Sequence, residues 1–266
     1  MRNKKKHSGK TVFLLLLFIF FFTFFLQQCH LVNKAQSKPD FASNFYPLPI
    51  KGEQLIIHSQ IKISYNPNHK QANWVAYKLD SAHTGDFKRK NNFYADPNIL
   101  SNSVFPVEYK QSGYDRGHLA PAGDFTWSEK AMSESFYMSN ISPQMPAFNR
   151  GIWKKLEEKA RQWARENGEI YVVTAGVLTE DLPAIGTKNK ITVPLYYYKV
   201  ILDFKEPEIK AIGFVMENKA QNKELNYFAV TIDSVEALTG IDFFPAMDDK
   251  LENRIESSNE FEKWFD

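Results

Sequence analysis

The chain contains a single cysteine, Cys29, in 266 residues. No internal disulfide is available, so a hydrophobic core must hold the fold, as a chain of this length allows. Histidine is sparse and scattered. His7, His30, His58, His69 and His83 show none of the short spacings of a zinc site, which speaks against a zinc phosphatase or peptidase. A net basic surface is lacking too. The chain has 33 lysines and arginines against 31 acids, but residues 1–34 hold six of the bases and no acid. The remainder carries 27 bases against 31 acids, a formal charge of −4. That excludes a protein that coats nucleic acid by bulk charge, so any such contact needs a local basic patch and a metal ion. No internal repeat is present, and no low-complexity tract beyond the leader.

The leader itself is distinctive. Arg2, Lys4, Lys5, Lys6 and Lys10 precede an apolar run over residues 12–26, broken only by Thr23. A basic start followed by a 15-residue apolar stretch is an export signal, shorter than the about 20 residues of a membrane-spanning helix. Leu26-Gln27-Gln28-Cys29 offers no small residue for a signal peptidase, and Gln28 is too bulky for lipoprotein processing at Cys29. An uncleaved signal anchor, lengthened by residues 27–32, therefore stands beside cleavage. Both leave the positive charges in the cytoplasm and export the rest. The product is then secreted or periplasmic, or held on the outer face of the membrane through residues 12–32. Residues 35–52, with Pro39, Pro47 and Pro49 among Ser37, Ser43 and Asn44, read as a linker. Residues 53–266 remain as one domain.

Within that domain, residues 55–65 are β-branched and partly alternating, which predicts a strand. Asn66-Pro67-Asn68 makes a turn, and residues 74–79 form a second strand. A polar loop over residues 84–92 carries Lys88-Arg89-Lys90, a run that by itself reads as solvated surface. Residues 126–135 predict a short helix with Thr126 near its cap, and residues 136–139 a strand. Trp153, Leu156, Ala160 and Trp163 recur at helical spacing, a core stripe that ends at Asn167-Gly168. Residues 169–178, 191–204 and 209–217 predict three strands, and a helix starts at Asp233 or Ser234. Tyr196-Tyr197-Tyr198 resembles a base-stacking platform. Alternate strand residues face opposite sides, however, which favours core and surface tyrosines.

The chemistry gathers in Tyr114-Asp115-Arg116-Gly117-His118-Leu119-Ala120-Pro121-Ala122-Gly123-Asp124. His118 can take a proton near neutral pH. Arg116 can pin a phosphate or hold a carboxylate in fork geometry. Gly117 lets the backbone come close to a ligand. A second polar stretch follows, Asn140-Ile141-Ser142-Pro143-Gln144, continuing through Phe148-Asn149-Arg150-Gly151-Ile152-Trp153-Lys154-Lys155-Leu156-Glu157. In residue type and spacing the two resemble the DNA/RNA non-specific endonuclease family, whose signature Asp-Arg-Gly-His stands letter for letter at 115–118. The likeness runs from roughly residue 53 to 245.

The resemblance implies an α+β fold: a ββα-metal finger on a mainly antiparallel central sheet with flanking helices. The finger would comprise the His118 strand, the 136–139 strand and a helix from Asn149 or Arg150. The implied activity is Mg²⁺-dependent hydrolysis of DNA and RNA through the phosphate backbone, with Mn²⁺ as a substitute ion. His118 would be the general base and Asn149 the direct metal ligand, although Asn is also a common N-cap. Arg89 would reach the phosphate. Arg116 and Asp115 would orient and salt-bridge, and Asn140 would hold the finger or a water on the metal. Glu157 lies eight residues past Asn149, about 12 Å along a regular helix and about 80° around it, so it would reach the ion through water. Read without the family, Glu157 is a surface glutamate. The alternative is a catalytically silent nucleic-acid-binding module of the same fold, but His118 and Asn149 are both present.

Export is checked by fractionating cells that express the tagged full-length chain. It is expected in the membrane or extracytoplasmic fraction, and recovery as a soluble cytoplasmic protein would refute the leader assignment.

Overall fold

The β-branched runs pair into one sheet because its central strands bury both faces under helices or loops, leaving few positions for polar residues. The computed structural model describes residues 45–265 other than 49 and 102; the leader and most of the 35–52 segment lie outside them. The central sheet uses β1 (Gln54–Ile57), β2 (Ile61–Asn66), β3 (Gln71–Asp80), β6 (Glu169–Gly176), β9 (Tyr196–Asp203), β10 (Lys210–Glu217) and β11 (Ala229–Val230). They lie side by side in that order, every pair antiparallel. The α+β class and the antiparallel sheet expected from the sequence are both present. β7 (Ala184–Ile185) and β8 (Ile191–Thr192) form a small separate hairpin.

Alternation along β9 sorts the layers. Tyr197 and Lys199 face α2 (Lys154–Asn167): the Trp153 ring at its start lies 5.7 Å from the Tyr197 ring and 4.9 Å from Lys199 Nζ. Tyr198 faces the opposite layer and meets Phe243 edge-on at 5.7 Å. That layer also contains α3 (Ile232–Thr239), capped by Thr231 and ended by Gly240 in the left-handed region. α4 (Asp249–Glu256) follows, with Asp248 as its cap. The stripe on α2 is core as expected, since Leu156, Ala160 and Trp163 are all buried. Each large apolar side chain so placed contributes about 1.5–3 kcal/mol. Tyr197 and Tyr198 are fully buried and Tyr196 is exposed, so no stacking platform exists.

Several elements differ from expectation for identifiable reasons. The 55–65 strand is a hairpin of β1 and β2. It breaks at His58, whose Nε2 is held 2.8 Å from buried Asp96. The short helix α1 (Glu129–Glu134) is capped by Ser128 rather than Thr126. Packing reaches back into the expected linker: Phe45 is buried, its ring 4.8 Å from Tyr171 and 4.4 Å from Phe204. Among the described residues no helix is long and apolar enough to cross a membrane.

The finger carries the largest shift. β4 (Asp115–His118) pairs with β5 (Ile141–Gln144) in the register Asp115 to Gln144 and His118 to Ile141. The second finger strand thus begins just past the expected 136–139 segment, where residues 138–140 make a tight 3₁₀ turn instead. Asn140 is the cause. Fully buried, it donates from Nδ2 to the carbonyls of Ala120 (2.9 Å) and Ser135 (2.8 Å). Its Oδ1 accepts from Ala120 N at 2.9 Å. Tyr197 then fastens the finger to the sheet by donating to the Pro143 carbonyl at 2.9 Å.

Asn140→Ala would strand three buried backbone groups, at about 1–3 kcal/mol each. The expected result is a loss of roughly 3 kcal/mol or more in urea unfolding, with the finger disordered first in hydrogen exchange.

Candidate active site

The strand β4, the polar loop and the helix with its distorted start bring the expected residues to one cavity of about 410 Å³. Arg89, Arg116, His118, Asn149 and Glu157 all line it, together with Arg150, Lys154 and Arg161. His118 ends β4 with 8% of its surface exposed. Its ring lies between Phe136, edge-on at 4.9 Å, and Phe93 at 5.4 Å. Nε2 is buried and has no hydrogen-bond partner among the described residues. Burial first, then the charges of Arg89 and Arg116, pull its pKa down to about 3. The imidazole is therefore neutral at physiological pH and able to accept a proton.

The two arginines are fixed by aromatic faces. Arg116 lies 4.3 Å over the Phe93 ring and Arg89 lies 5.5 Å from Phe136. Arg89 comes from the polar loop, which is laid against the α1 region by a Phe87 N to Thr126 O hydrogen bond of 2.9 Å. Gly85 is required at that crossing, because a Cβ there would fall on the Thr126 carbonyl and Trp127 Cα. At Gly117 a Cβ would fall on the Gln144 side chain across the finger. The glycine therefore serves strand pairing within the finger.

Asn149 is not an N-cap. It sits in a π-helical turn, Asn149–Trp153, in which Gly151 leaves helical geometry at φ −103°, ψ −113°. Its Nδ2 donates to Asp115 Oδ2 at 2.8 Å, so Oδ1 is the atom left for a ligand. Asp115 also accepts a fork from Arg150, Nε to Oδ2 at 2.8 Å and Nη2 to Oδ1 at 2.6 Å. Desolvation opposes these bonds, yet they hold Asp115 below the usual carboxylate range. The wide turn also removes Asn149 from the regular grid of α2, so the straight-helix offset to Glu157 does not apply. Both residues line the same cavity.

Glu157 is half-buried, and burial pushes its carboxyl above the ordinary range, against the pull of Lys199. Behind it lies a charged layer the motifs did not disclose. Arg161 Nη1 meets buried Asp124 at 2.7 Å. Lys199 is fully buried on β9, without a hydrogen-bond partner among the described residues, and burial lowers its pKa. Two signals were available: Arg161 stands one helical turn after Glu157, and Lys199 is a lone lysine inside an apolar strand.

A second depression of about 790 Å³ shares Arg89, Arg116, Asn149 and Arg150 with the cavity and continues past Asn91, Lys110 and Tyr114. The pair form one cationic groove on a domain whose net charge is negative. A hard divalent ion suits the available donors, a neutral amide oxygen and a carboxylate, in a site with room for water.

A sequence profile of DNA/RNA non-specific endonucleases matches residues 39–250. The chain belongs to the DNA/RNA non-specific endonuclease family. A nuclease of Nostoc sp. is 33% identical over 217 residues, 76% of this chain and 77% of that protein. Human mitochondrial endonuclease G is 32% identical over 207 residues, 72% of this chain and 70% of that protein. The crystal structure of the EndoG/EndoGI complex superposes with a TM-score of 0.72 at 28% identity, covering 81% of this chain and 96% of that one. As a family endonuclease, the chain is expected to depend on Asp115 as a positioning residue. Asp115→Ala releases both Asn149 and Arg150. Turnover on plasmid DNA should fall about 10–100-fold, while the melting temperature changes by a few degrees at most, since Arg150 is largely exposed. Unchanged turnover would remove Asp115 from the site.

Proposed function

We propose that this cavity hydrolyses the phosphodiester backbone of DNA and RNA, with little sequence preference and with Mg²⁺ as its cofactor. The observation that carries the reading is a neutral histidine between two arginines, in a cavity that Asn149 and Glu157 also line. His118 takes the proton of the attacking water as general base. Arg89 and Arg116, oriented by Phe136 and Phe93, hold the phosphate and offset the charge that builds on it. Asn149 Oδ1 would hold the ion directly and Glu157 through water, with Mn²⁺ as a substitute. When bound, the ion supplies Lewis-acid polarisation of the phosphate and charge neutralisation on the leaving oxygen. Asp115 keeps the Asn149 amide turned the right way. A groove lined by arginine and lysine grips sugar-phosphate backbone and leaves base edges unread. The leader places this activity outside the cytoplasm.

His118 is a weak base in the free protein because burial disfavours its charged form and both arginines add their repulsion. A bound phosphate cancels much of that repulsion, so the histidine strengthens as substrate arrives. The acid limb of kcat/KM, which reports the free enzyme, should therefore lie below about pH 5, and that of kcat should lie higher. Stability falls in the same direction. The unfolded chain takes up this proton near pH 6.5 and the folded one only near 3, so stability is lost as pH falls between them. Circular dichroism at each pH separates the two effects.

The test uses the full-length chain on plasmid DNA and on RNA, with Mg²⁺ or with chelator. Both substrates should be cut, with Mg²⁺ only. His118→Ala should lose about 10²–10⁴-fold in rate while remaining folded. Asn149→Ala should lose activity, and Glu157→Ala should be milder and partly rescued by more Mg²⁺ or by Mn²⁺. Equal cleavage in chelator, or a fully active His118→Ala, would overturn the reading.

A further inference from the structure

Away from the cavity, α3 and α4 gather carboxylates where no cation meets them. Asp233 and Glu236 lie on α3, Glu252 and Glu256 on α4, and Asp242 on the connection between them. One ligand oxygen from each of Asp233, Glu236 and Glu256 lies within 4.8 Å of the other two. Glu256 is only 7% exposed, and its Oε1 is buried without a hydrogen-bond partner among the described residues. Glu252 Oε1 is in the same condition. Among the described residues no lysine, arginine or histidine forms an ion pair with any of the five. A buried carboxylate oxygen with neither donor nor counter-charge is costly. Burial first, and then Glu236, Glu252, Asp233 and Asp242, push Glu256 up to about 8.

We propose that Asp233, Glu236 and Glu256 bind a Ca²⁺ ion that ties α3 to α4, with Asp242 and Glu252 adding negative charge around it. Ca²⁺ accepts six to eight oxygens at about 2.3–2.6 Å in loose geometry. Two oxygens on one such ion, each at about 2.4 Å, stand at most about 4.8 Å apart, the bound within which these three fall. Mg²⁺ demands shorter bonds of about 2.1 Å and an octahedron with several waters, which suits the nuclease cavity better than a cluster of converging carboxylates. Exposed Asp233 and half-buried Glu236 form the entrance, and Glu256 forms the floor. Both helices pack on β10, so an ion between them locks the C-terminal segment onto the sheet. Glu252 and Glu256 lie past residue 250, where the family match ends, so the site combines the shared fold with this chain's own C-terminal segment.

The test is thermal melting of the full-length chain, freed of metal with chelator and titrated with CaCl₂. Melting temperature should rise saturably, by roughly 5–10 °C at a hundredfold excess over Kd. Glu256→Gln should abolish the rise while keeping nuclease activity in Mg²⁺. In chelator it should melt no lower than wild type, because it removes a carboxyl whose charged form burial and its neighbours already disfavour. Asp233→Asn, at the rim, should also abolish the rise and serves if Glu256→Gln does not fold. Absence of any Ca²⁺-dependent rise in wild type would mean that a shared proton neutralises the cluster, overturning the proposal. A rise that survives Asp233→Asn but vanishes in Asn149→Ala would place the ion in the nuclease cavity and overturn it equally.

Discussion

The buried amide of Asn140 is the contact on which the geometry of the cavity rests. β4 ends at His118, and the chain beyond it leaves its sheet partner while still inside the protein. The backbone groups freed at Leu119 and Ala120 must pair somewhere. Asn140 takes all three: its carbonyl accepts from Leu119 N, Oδ1 accepts from Ala120 N, and Nδ2 donates to the Ala120 carbonyl. A second Nδ2 bond to Ser135 anchors the clamp to the end of α1. Because the turn at 138–140 is fixed from inside, β5 starts where it can pair with β4, and the histidine faces the cavity.

Charge placement forms a second tier. The cavity concentrates arginines where the proposed reading lays an anionic backbone, on a domain with more acids than bases. Its rear wall is a buried set, with Asp124 paired to Arg161 and Lys199 standing between Trp153 and the carboxylates. Such groups are expensive to bury unless each meets its opposite. Here they hold the side of α2 that carries Glu157 at one depth. The same rule leaves the acidic cluster between α3 and α4 conspicuous, since no ion pair among the described residues reaches it.

Much of this was legible in the sequence, and the limits are physical. The Asp-Arg-Gly-His stretch and the polar stretch from Asn140 to Glu157 pointed to residues that the fold does bring to one cavity, although the straight-helix offset from Asn149 to Glu157 did not hold. The strands of the central sheet were visible from β-branched runs, as was the stripe on α2. What failed was local geometry set from a distance. His58 bends a continuous strand signal because Asp96, far along the chain, binds it. Phe136-Tyr137-Met138-Ser139 has strand composition, yet Asn140 draws it into a turn. Asn149 looks like a cap, but Asp115 takes its amide and the turn widens. Lys199 is a single charge in an apolar strand, and its role becomes legible only when α2 is laid across it.

That widened turn has a consequence for how the protein balances robustness against chemistry. An α-helix is most stable when each amide donates four residues back, and one surplus residue in a turn forfeits part of that ladder. Removing Gly151 would bring the turn back to regular pitch, and the helix itself would be the better for it. The same repair would swing Asn149 about 100° around the axis, away from Asp115 and out of the cavity. Optimising this segment for thermal resilience alone would therefore dismantle the proposed site, and a screen that rewards only folding would select against it.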